Sequence, residues 1–443
     1  MASRLPAPSA SLARPLGFAA ALALVVGNLI GSGIFLLPAA LAPFGANALA
    51  GWCVSIAGGT CLAWVFARLG ATLPLAGGPY AFARAAFGPA AGFAVAWSYW
   101  VMIWVGTGAV AVAAVSNASL VVPGLRDHPG AAGLVLVWIV TAVNVRGVAL
   151  AGRVQLVTMA LKLVPLVGVV LVGAWLLVRG VPIVPGPATP LASGPIVAAA
   201  AITFWSFLGV ESATVPADKV RDPRRTVPRA TMAGVGIAGA AYLLVSATIM
   251  AFAPAAATAA SPAPVAAFLG RWLGGGVGGA VALFACVSAI GAMNGFLLMA
   301  GELPWAMARG GVFPRWFAAE SARGTPARAL VVSAVLVTLV VLANTARSAA
   351  GLFAFVASVS VAAGLVAYMA SALAAVRLLP TERGTSVVAL VAAGFAGWMF
   401  WGLGARADAW GLALLVAGAP IYLASRRPTK GSGSGSGVGD VGA

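Results

Sequence analysis

The chain has 443 residues, of which 62% are hydrophobic and only 8% are charged. Because a soluble domain carries about 25% charged residues, this composition excludes a soluble globular protein and indicates an integral membrane protein. The formal net charge of +17 is by itself compatible with nucleic-acid binding, so the positions of the basic residues must decide between a nucleic acid and a membrane.

Apolar segments of bilayer-spanning length follow one another along the chain, given that one helical crossing needs about 20 apolar residues. The predicted spans cover residues 15–38, 46–68, 91–118, 131–149, 151–177, 194–215, 228–253, 274–305, 327–344, 350–376, 386–404 and 408–425. They predict an all-α integral membrane protein with twelve transmembrane helices in one domain over residues 15–425. Residues 1–14 precede this domain, and 426–443 form a tail whose Gly-Ser repeat is typical of flexible linkers.

The basic residues are concentrated on one side of these spans. Among the 26 lysines and arginines, one lysine falls within a span and a few arginines lie on the side opposite the N-terminus. Those arginines are Arg126, Arg179, Arg271, Arg347 and Arg406. This positive-inside pattern predicts a multi-pass protein of the cytoplasmic membrane with both termini in the cytoplasm. The orientation of the chain in the lipid bilayer therefore accounts for its positive net charge, and no nucleic-acid partner is expected.

No group of residues in the sequence indicates catalysis, a metal site or a cofactor. The three cysteines lie inside predicted spans without metal-ligand spacing, and the single histidine, His128, lies in a predicted external loop. A membrane enzyme would need clustered His, Asp or Glu residues, and an ATPase would need a Walker-type glycine-lysine loop. We therefore expect no enzyme activity, no catalytic residue, no metal and no cofactor.

The first span contains a run of helix-weakening residues, GNLIGSGIF at positions 27–35. A helix in lipid must satisfy its own backbone, so such a run is expected where a helix breaks against protein or a watery cavity. Close helix packing at Gly27 and Gly31 is the competing interpretation. A similar disruption at residues 203–212 of the sixth span favours a binding site, because transporters with inverted repeats place their substrate at corresponding discontinuous helices.

Two such breaks have the chemistry to bind an amino acid. The helix that restarts after the first break offers free N–H groups near Ser32 and Gly33 and the positive end of its dipole, which favours a carboxylate. Carbonyl groups freed where helices stop, near Leu29 and Trp205, favour an ammonium group or a cation. An amino acid carries both a carboxylate and an ammonium group.

Several motifs resemble those of one transporter superfamily. The segments GNLIGSGIFLLP (27–38) and PLAGGPY (74–80) resemble the first-helix motif and the helix two to three turn of the amino acid–polyamine–organocation superfamily. FWSFLGVES (204–212), with the loop DPRRTVPRAT (222–231), is most similar to helix six of bacterial arginine/agmatine antiporters. GGVFP (310–314) is similar to the loop after helix eight. The overall resemblance is to the basic amino acid/polyamine antiporters of this superfamily.

The resemblance implies a leucine-transporter-like fold with alternating access around a site near the membrane midplane. It implies two inverted five-helix repeats, at about 15–177 and 194–376, with helices one and six broken, and two trailing helices at about 386–425. By position in the motifs, the N–H groups of Ser32 and Gly33 would hold the substrate carboxylate. The carbonyls of Leu29, Trp205 and Leu208 would hold the amino group. The residues implied to line the side-chain pocket are Met102, Ile103, Thr107, Trp205 and Phe296. The implied gates are Tyr99 and Trp205.

Two pocket residues differ from the arginine/agmatine antiporters. Thr107 stands where those proteins have an asparagine, and it lacks the paired donor and acceptor of an amide. Phe296 stands where they have a tryptophan, and it offers a weaker cation–π face. Both differences favour a neutral or less strictly basic substrate.

Three acidic or basic residues within the spans carry further predictions. Lys162 lies about 17 Å into the fifth span, where an ionised side chain costs about 2.5–3.5 kcal/mol. It resembles a helix-five lysine of proton-coupled amino acid transporters, which occupies the place of the sodium ion in sodium-coupled relatives, so it is predicted to take part in proton coupling. The alternative is a structural tether from span one to span eight. Glu211 is implied to be a proton-sensitive carboxylate, and pairing with the basic loop after span six is its alternative. Glu302 is predicted to be an ordinary interfacial carboxylate.

These features predict a secondary active transporter for an amino acid or related amine, coupled to exchange or to protons and independent of sodium. A strict arginine/agmatine-type or polyamine antiporter is the alternative within this class. An ion channel is the alternative of another class, but it would show rings of like groups or a repeated filter sequence. The expected partners are the small-molecule substrate, protons and the bilayer, and a homodimer is the assembly considered.

Overall fold

The computed structural model describes residues 14–31, 33–187, 189–345, 349–403 and 405–425. Within these ranges the chain forms seventeen α-helices joined by loops and short 3-10 turns. They are α1 (Phe18–Leu29), α2 (Gly33–Leu41), α3 (Ala46–Thr72), α4 (Pro79–Phe87), α5 (Pro89–Ala118), α6 (Pro129–Val145), α7 (Val148–Val178), α8 (Ser193–Phe204), α9 (Pro223–Phe252), α10 (Ala255–Ala260), α11 (Pro264–Leu273), α12 (Val277–Arg309), α13 (Ala327–Thr345), α14 (Ala349–Leu378), α15 (Arg383–Leu403), α16 (Ala405–Ala417) and α17 (Ala419–Ser425).

Eight helical stretches of the described chain are long and apolar enough to cross a membrane. Four shorter apolar helices lie at the remaining predicted spans, at Pro129–Val145, Ser193–Phe207, Ala327–Ala343 and Ala409–Ser425. Among the described residues, the one extended pairing is an isolated bridge between Leu16 and Val220. The prediction of an all-helical, multi-pass membrane protein is confirmed, whereas the number of crossings and the internal repeats remain predictions.

The first helix lies inside the bundle, which is why its break is enclosed by protein. α1 packs against α7, α9 and α12, and its residues from Ala23 to Leu29 are buried. α12 passes directly behind the end of α1, because a side chain at Gly295 would collide with Asn28. Glycine at this position therefore allows two helix backbones to approach closely. The result is a break in lipid-inaccessible surroundings, where irregular backbone is tolerated.

The start of α1 is tied to the segment that precedes α9. The Leu16 N–H donates to the Lys219 carbonyl at 3.1 Å, and the Arg221 N–H donates to the Leu16 carbonyl at 2.8 Å. This short pairing places the start of α1 next to the segment that precedes α9, so the two lie at the same end of the bundle.

Candidate binding site at two helix breaks

The first break separates α1 from α2. α1 ends at Leu29 and α2 begins at Gly33. Ile30 leaves helical geometry with a ψ of 78°, although its N–H still donates to the Val26 carbonyl. The Gly31 N–H donates back to the Leu29 carbonyl at 2.9 Å. The last carbonyls of α1 and the first N–H groups of α2 therefore lose regular helical partners, as at any helix terminus.

The second break lies at the end of α8. This helix continues into a 3-10 turn at Trp205–Phe207, after which Leu208 is extended with a ψ of 127°. Gly209 has a φ of 102°, a conformation that favours glycine. Beyond Gly209 the chain runs through successive turns as far as Pro216 and does not resume a regular α-helix. The sixth span is thus discontinuous, with backbone groups available inside the bundle.

Asn28 holds the two breaks together. Its Nδ2 atom donates to the Ser212 hydroxyl at 2.7 Å, although the two residues are 184 positions apart. Asn28 also lies against Gly209, where an added Cβ would come within 2.8 Å of the Asn28 Cβ. Gly209 is therefore required both by its backbone conformation and by this close approach, and the two breaks form one unit.

A small cavity lies between the breaks, α5 and α12. Its volume is about 20 Å³, which is room for about one water molecule and too small for an amino acid in this conformation. The lining residues are Asn28, Leu29, Gly31, Gly33, Met102, Ile103, Gly106, Val110, Trp205, Ser206, Leu208, Ala292, Phe296 and Ser360. None of these side chains is charged, so a ligand's charged groups would have to bind to backbone groups at the breaks or to the polar side chains of Asn28, Ser206 and Ser360.

Most of the predicted substrate-binding residues meet at this cavity. Those that line it are Leu29, Gly33, Met102, Ile103, Trp205, Leu208 and Phe296. Ser32 lies outside the described residues. Thr107 is buried in α5, where its hydroxyl donates to the Ile103 carbonyl at 2.7 Å, and it is not among the lining residues. A hydroxyl bonded to its own helix in this way has one donor fewer to offer a ligand.

Sequence reasoning missed a small-residue position on α5. Gly106 lines the cavity one turn after Met102 and one turn before Val110, so helical spacing from the predicted residue Met102 could have identified it. A Cβ at Gly106 would lie 2.8 Å from the Ser360 hydroxyl and 4.0 Å from the Trp205 ring. Gly106 therefore makes room for the Ser360 hydroxyl, and the Trp205 ring lies at ordinary contact distance.

Lys162 of α7 is fully buried beside the first break. Its ammonium donates to the carbonyls of Gly27 at 2.7 Å, Ile30 at 2.5 Å and Ser288 at 3.2 Å. All three donors of the ammonium are thus used. Two of these bonds satisfy carbonyls at the end of α1, where a positive charge also suits the helix dipole. The contacts are those of the predicted tether between span one and span eight, and they leave a coupling role untested.

Glu211 lies on the turns after the second break and is fully buried among tyrosines. Tyr99 of α5 donates its hydroxyl to the Glu211 carboxylate and contacts Met299 Sδ at 3.4 Å. Tyr368 of α14 accepts a hydrogen bond from the Gly209 N–H at 2.9 Å and lies next to the same carboxylate. In the part of the chain that the structure describes, Glu211 forms no ion pair, so the alternative in which it pairs with the basic loop is wrong.

Glu302 of α12 is not the interfacial carboxylate that the sequence suggested. It is fully buried and forms an ion pair with Lys219 at 2.5 Å. Lys219 also donates to the Gly324 carbonyl at 3.2 Å and lies 5.2 Å from the centre of the Trp305 ring. Burial lowers the pKa of Lys219, but the carboxylates of Glu302, Asp218 and Glu320 together outweigh burial, so the pKa lies above its ordinary value. The prediction failed because position near a helix end does not reveal a partner 83 residues away.

Comparison with known proteins decides the family. Residues 16–418 match the sequence profile of the amino acid permease family. The chain belongs to this family. The permease is 34% identical to a cadaverine/lysine antiporter of Escherichia coli over 347 residues, which cover 77% of each chain. It is 30% identical to a putative arginine/ornithine antiporter of Bacillus subtilis over 354 residues, 72% of this chain and 75% of that protein.

A third relative matches a shorter part of the permease. A putrescine transporter of Escherichia coli is 31% identical over 232 residues, 51% of this chain and 52% of that protein. The predicted membership of the amino acid–polyamine–organocation superfamily is confirmed by the family match and these relatives. The relatives are transporters rather than enzymes. Residues 16–418, which match the family profile, include both helix breaks.

Proposed function

We propose that this permease is a secondary active transporter that moves an amino acid or a related amine across the cytoplasmic membrane by alternating access. The observation that carries the proposal is the meeting of two helix breaks at one cavity, joined by the Asn28 to Ser212 hydrogen bond. Discontinuous helices at the midplane are the usual place for substrate in transporters built from inverted repeats. Because the cavity has room for only about one water molecule, it must widen before it can hold a substrate.

The proposed architecture has twelve crossings, with two inverted five-helix repeats, two trailing helices and both termini in the cytoplasm. The positions of the breaks support it, because one lies in the first predicted span and the other in the sixth. The eight long apolar stretches and four shorter apolar helices of the described chain supply enough helix for twelve crossings.

In the proposed binding mode the backbone recognises the part of the ligand that all amino acids share. The N–H groups of Ser32 and Gly33 bind the carboxylate at the start of α2, while the carbonyls of Leu29, Trp205 and Leu208 bind the ammonium group. The absence of charged side chains from the lining supports this assignment, because the helix ends at the breaks then supply the partial charges that face the ligand. The ligand side chain then lies against α5 and α12.

Two lines of evidence bear on the substrate class. The relatives are named for lysine, cadaverine, arginine, ornithine and putrescine, which supports a basic amino acid or a diamine. The lining side chains Met102, Ile103 and Phe296 are apolar and give a cationic side chain no carboxylate partner. We infer a substrate that is an amino acid or amine with a less strictly basic side chain, and a strict basic amino acid or polyamine antiporter is the second candidate.

The proposed coupling is to exchange or to protons, without sodium. Lys162 supports sodium independence. Its ammonium already binds the carbonyls of Gly27, Ile30 and Ser288, which are the oxygen ligands that a sodium ion at this position would require. Glu211 is the proposed proton-sensitive group, and Tyr99, which donates to it, is a proposed gate together with Trp205.

Counterflow in proteoliposomes tests the proposal. Vesicles loaded with an unlabelled candidate are diluted into the same compound in labelled form, for lysine, arginine, ornithine, cadaverine, putrescine and a set of neutral amino acids. The proposal expects label to accumulate for at least one compound, with and without sodium. Ion conductance without any exchange would identify a channel instead and would contradict the proposal.

Trp205→Leu tests whether the cavity is the transport site. An aromatic contact is worth about 0.5–1.5 kcal/mol, so counterflow should fall by up to about tenfold at limiting substrate. Trp138→Leu is the matched control, because Trp138 is 40% exposed on the outside of α6. Equal transport by the two variants would place the substrate elsewhere.

A further inference from the structure

A second cavity lies at the end of the bundle where α1 and α7 begin. Its volume is about 310 Å³, within the range of small-ligand pockets. The lining residues are Pro15, Leu16, Gly17, Ala19, Ala20, Ala149, Gly152, Arg153, Leu156 and Arg221. None of them lines the cavity at the helix breaks, so this groove is a separate site.

Two arginines from different elements supply all the charge on the groove lining. Arg153 projects from the second turn of α7, and Arg221 lies just before α9, where its Nε donates to the Arg14 carbonyl at 2.9 Å. Among the described residues, neither guanidinium has a carboxylate within ion-pair distance. The adjacent Asp222 lies 3.9 Å from Arg225 instead. The groove therefore presents two positive charges without an acidic partner.

The rest of the groove is apolar and continues into the lipid-facing surface. Arg153 lies about 8 Å along α7 from its first residue, at 1.5 Å per residue. The headgroup layer is about 5–8 Å thick, so a helix that begins at the membrane surface places Arg153 at headgroup depth. Leu156, Ala160 and Val164 follow at helical spacing on the same side of α7. Val164 is 53% exposed, so this side of the helix is open to an acyl chain. Small residues on the α1 side, such as Ala19, leave the groove open.

We propose that this groove binds an anionic phospholipid, with the phosphate on Arg153 and Arg221 and an acyl chain along α7. The positive-inside pattern places this end of the bundle at the cytoplasmic leaflet, where basic pockets between helices bind anionic headgroups. A zwitterionic lipid has the same phosphate and chain, but its amine cancels the charge. Free phosphate has the charge but makes no use of the apolar groove.

Lipid retention by the purified full-length permease tests this proposal. The protein in detergent is mixed with phosphatidylglycerol, phosphatidylcholine or inorganic phosphate, and bound lipid is counted by native mass spectrometry. A basic residue near the surface favours an anionic lipid by about 1 kcal/mol, or about fivefold, so two arginines should favour phosphatidylglycerol about 25-fold. Equal retention of the two lipids, or occupation by inorganic phosphate that prevents lipid retention, would overturn the proposal.

Matched variants separate this groove from the general positive charge of the surface. Arg153→Gln with Arg221→Gln should abolish the preference for phosphatidylglycerol. Arg323→Gln with Arg383→Gln removes two exposed arginines from the same predicted side and should leave the preference unchanged. Ala149→Trp fills the groove while keeping both arginines, so it should also lower retention. If the control pair lowers the preference as much as the groove pair, binding is non-specific and the proposal is wrong.

Discussion

Replacing the buried Lys162 tests most directly how the backbone at the first break is stabilised. Lys162→Met keeps most of the side-chain volume but removes the charge and all three donors. The Ile30 carbonyl would keep one partner, because the Ser288 hydroxyl also donates to it at 3.1 Å. The Gly27 carbonyl would lose the ammonium that bonds it at 2.7 Å. The variant therefore removes the hydrogen bonds from α7 to the end of α1, while Gln155 of α7 still donates to the Ala23 carbonyl at 3.2 Å.

The expected loss of stability follows from two opposing contributions. A hydrogen bond to a charged group contributes about 1.5–3 kcal/mol, so three such bonds contribute about 4–9 kcal/mol. Removing an ionised side chain from the membrane interior offsets about 2.5–3.5 kcal/mol of this loss. The net destabilisation of Lys162→Met is thus about 0.5–6.5 kcal/mol, and its sign holds over the whole range.

Two measurements on the purified variant separate its structural and coupling roles. Thermal unfolding in detergent should show a lower transition temperature. If Lys162 takes part in coupling, the pH profile of uptake into proteoliposomes should also change, with only the dependence due to Glu211 left. Arg179→Met, which removes an exposed cation from the end of the same helix, is the control. A variant as stable as the wild type, with an unchanged pH profile, would refute the reasoning; lower stability with an unchanged pH profile would leave only the tether.

The remaining predictions concern the second break and the buried ion pair. Gly209→Ala forces a residue with a Cβ to a φ of 102° and against Asn28, so it should destabilise the permease by about 1–3 kcal/mol and abolish uptake. Gly274→Ala is the control, because Gly274 has a φ of 103° but no atom within 4 Å of the added Cβ, so this variant shows the effect of backbone strain alone. An equal effect of both variants on uptake would contradict the role of the Asn28 contact. Lys219→Met should destabilise by about 3–5 kcal/mol, because it leaves the buried Glu302 carboxylate without its cation. Adding Glu302→Met should restore most of that stability in a thermal-unfolding assay, and a double variant less stable than Lys219→Met would show that no ion pair was being broken.

The sequence was most informative where a residue type conflicts with its local surroundings. Glycines and small polar residues at 27–33 conflict with an intact lipid-spanning helix, and α1 does end at Leu29. The residue Lys162 conflicts with the middle of a bilayer span, and it is fully buried against the end of α1. Such conflicts can be detected within a short window of sequence, because helix geometry and membrane depth are local properties.

Side-chain partners that are distant in sequence could not be predicted in the same way. Tyr368 bonds to Gly209 from 159 residues away, and no local pattern distinguishes it from other tyrosines. Glu302 forms its ion pair with Lys219 because α12 packs close to the turns that follow the second break. Thr107 has the polarity expected of a pocket residue, but its hydroxyl bonds to its own helix. These outcomes depend on tertiary packing, which a single sequence does not specify by position.

The central claim is that substrate binds between the two helix breaks, and a structure of the permease with a transported compound bound tests it most directly. The account predicts a ligand in the cavity beside Trp205, with its carboxylate within hydrogen-bonding distance of the Gly33 N–H. Its ammonium group should lie at the carbonyls of Leu29 and Leu208. A ligand bound outside this cavity, or bound with carboxylate and ammonium exchanged, would contradict the account.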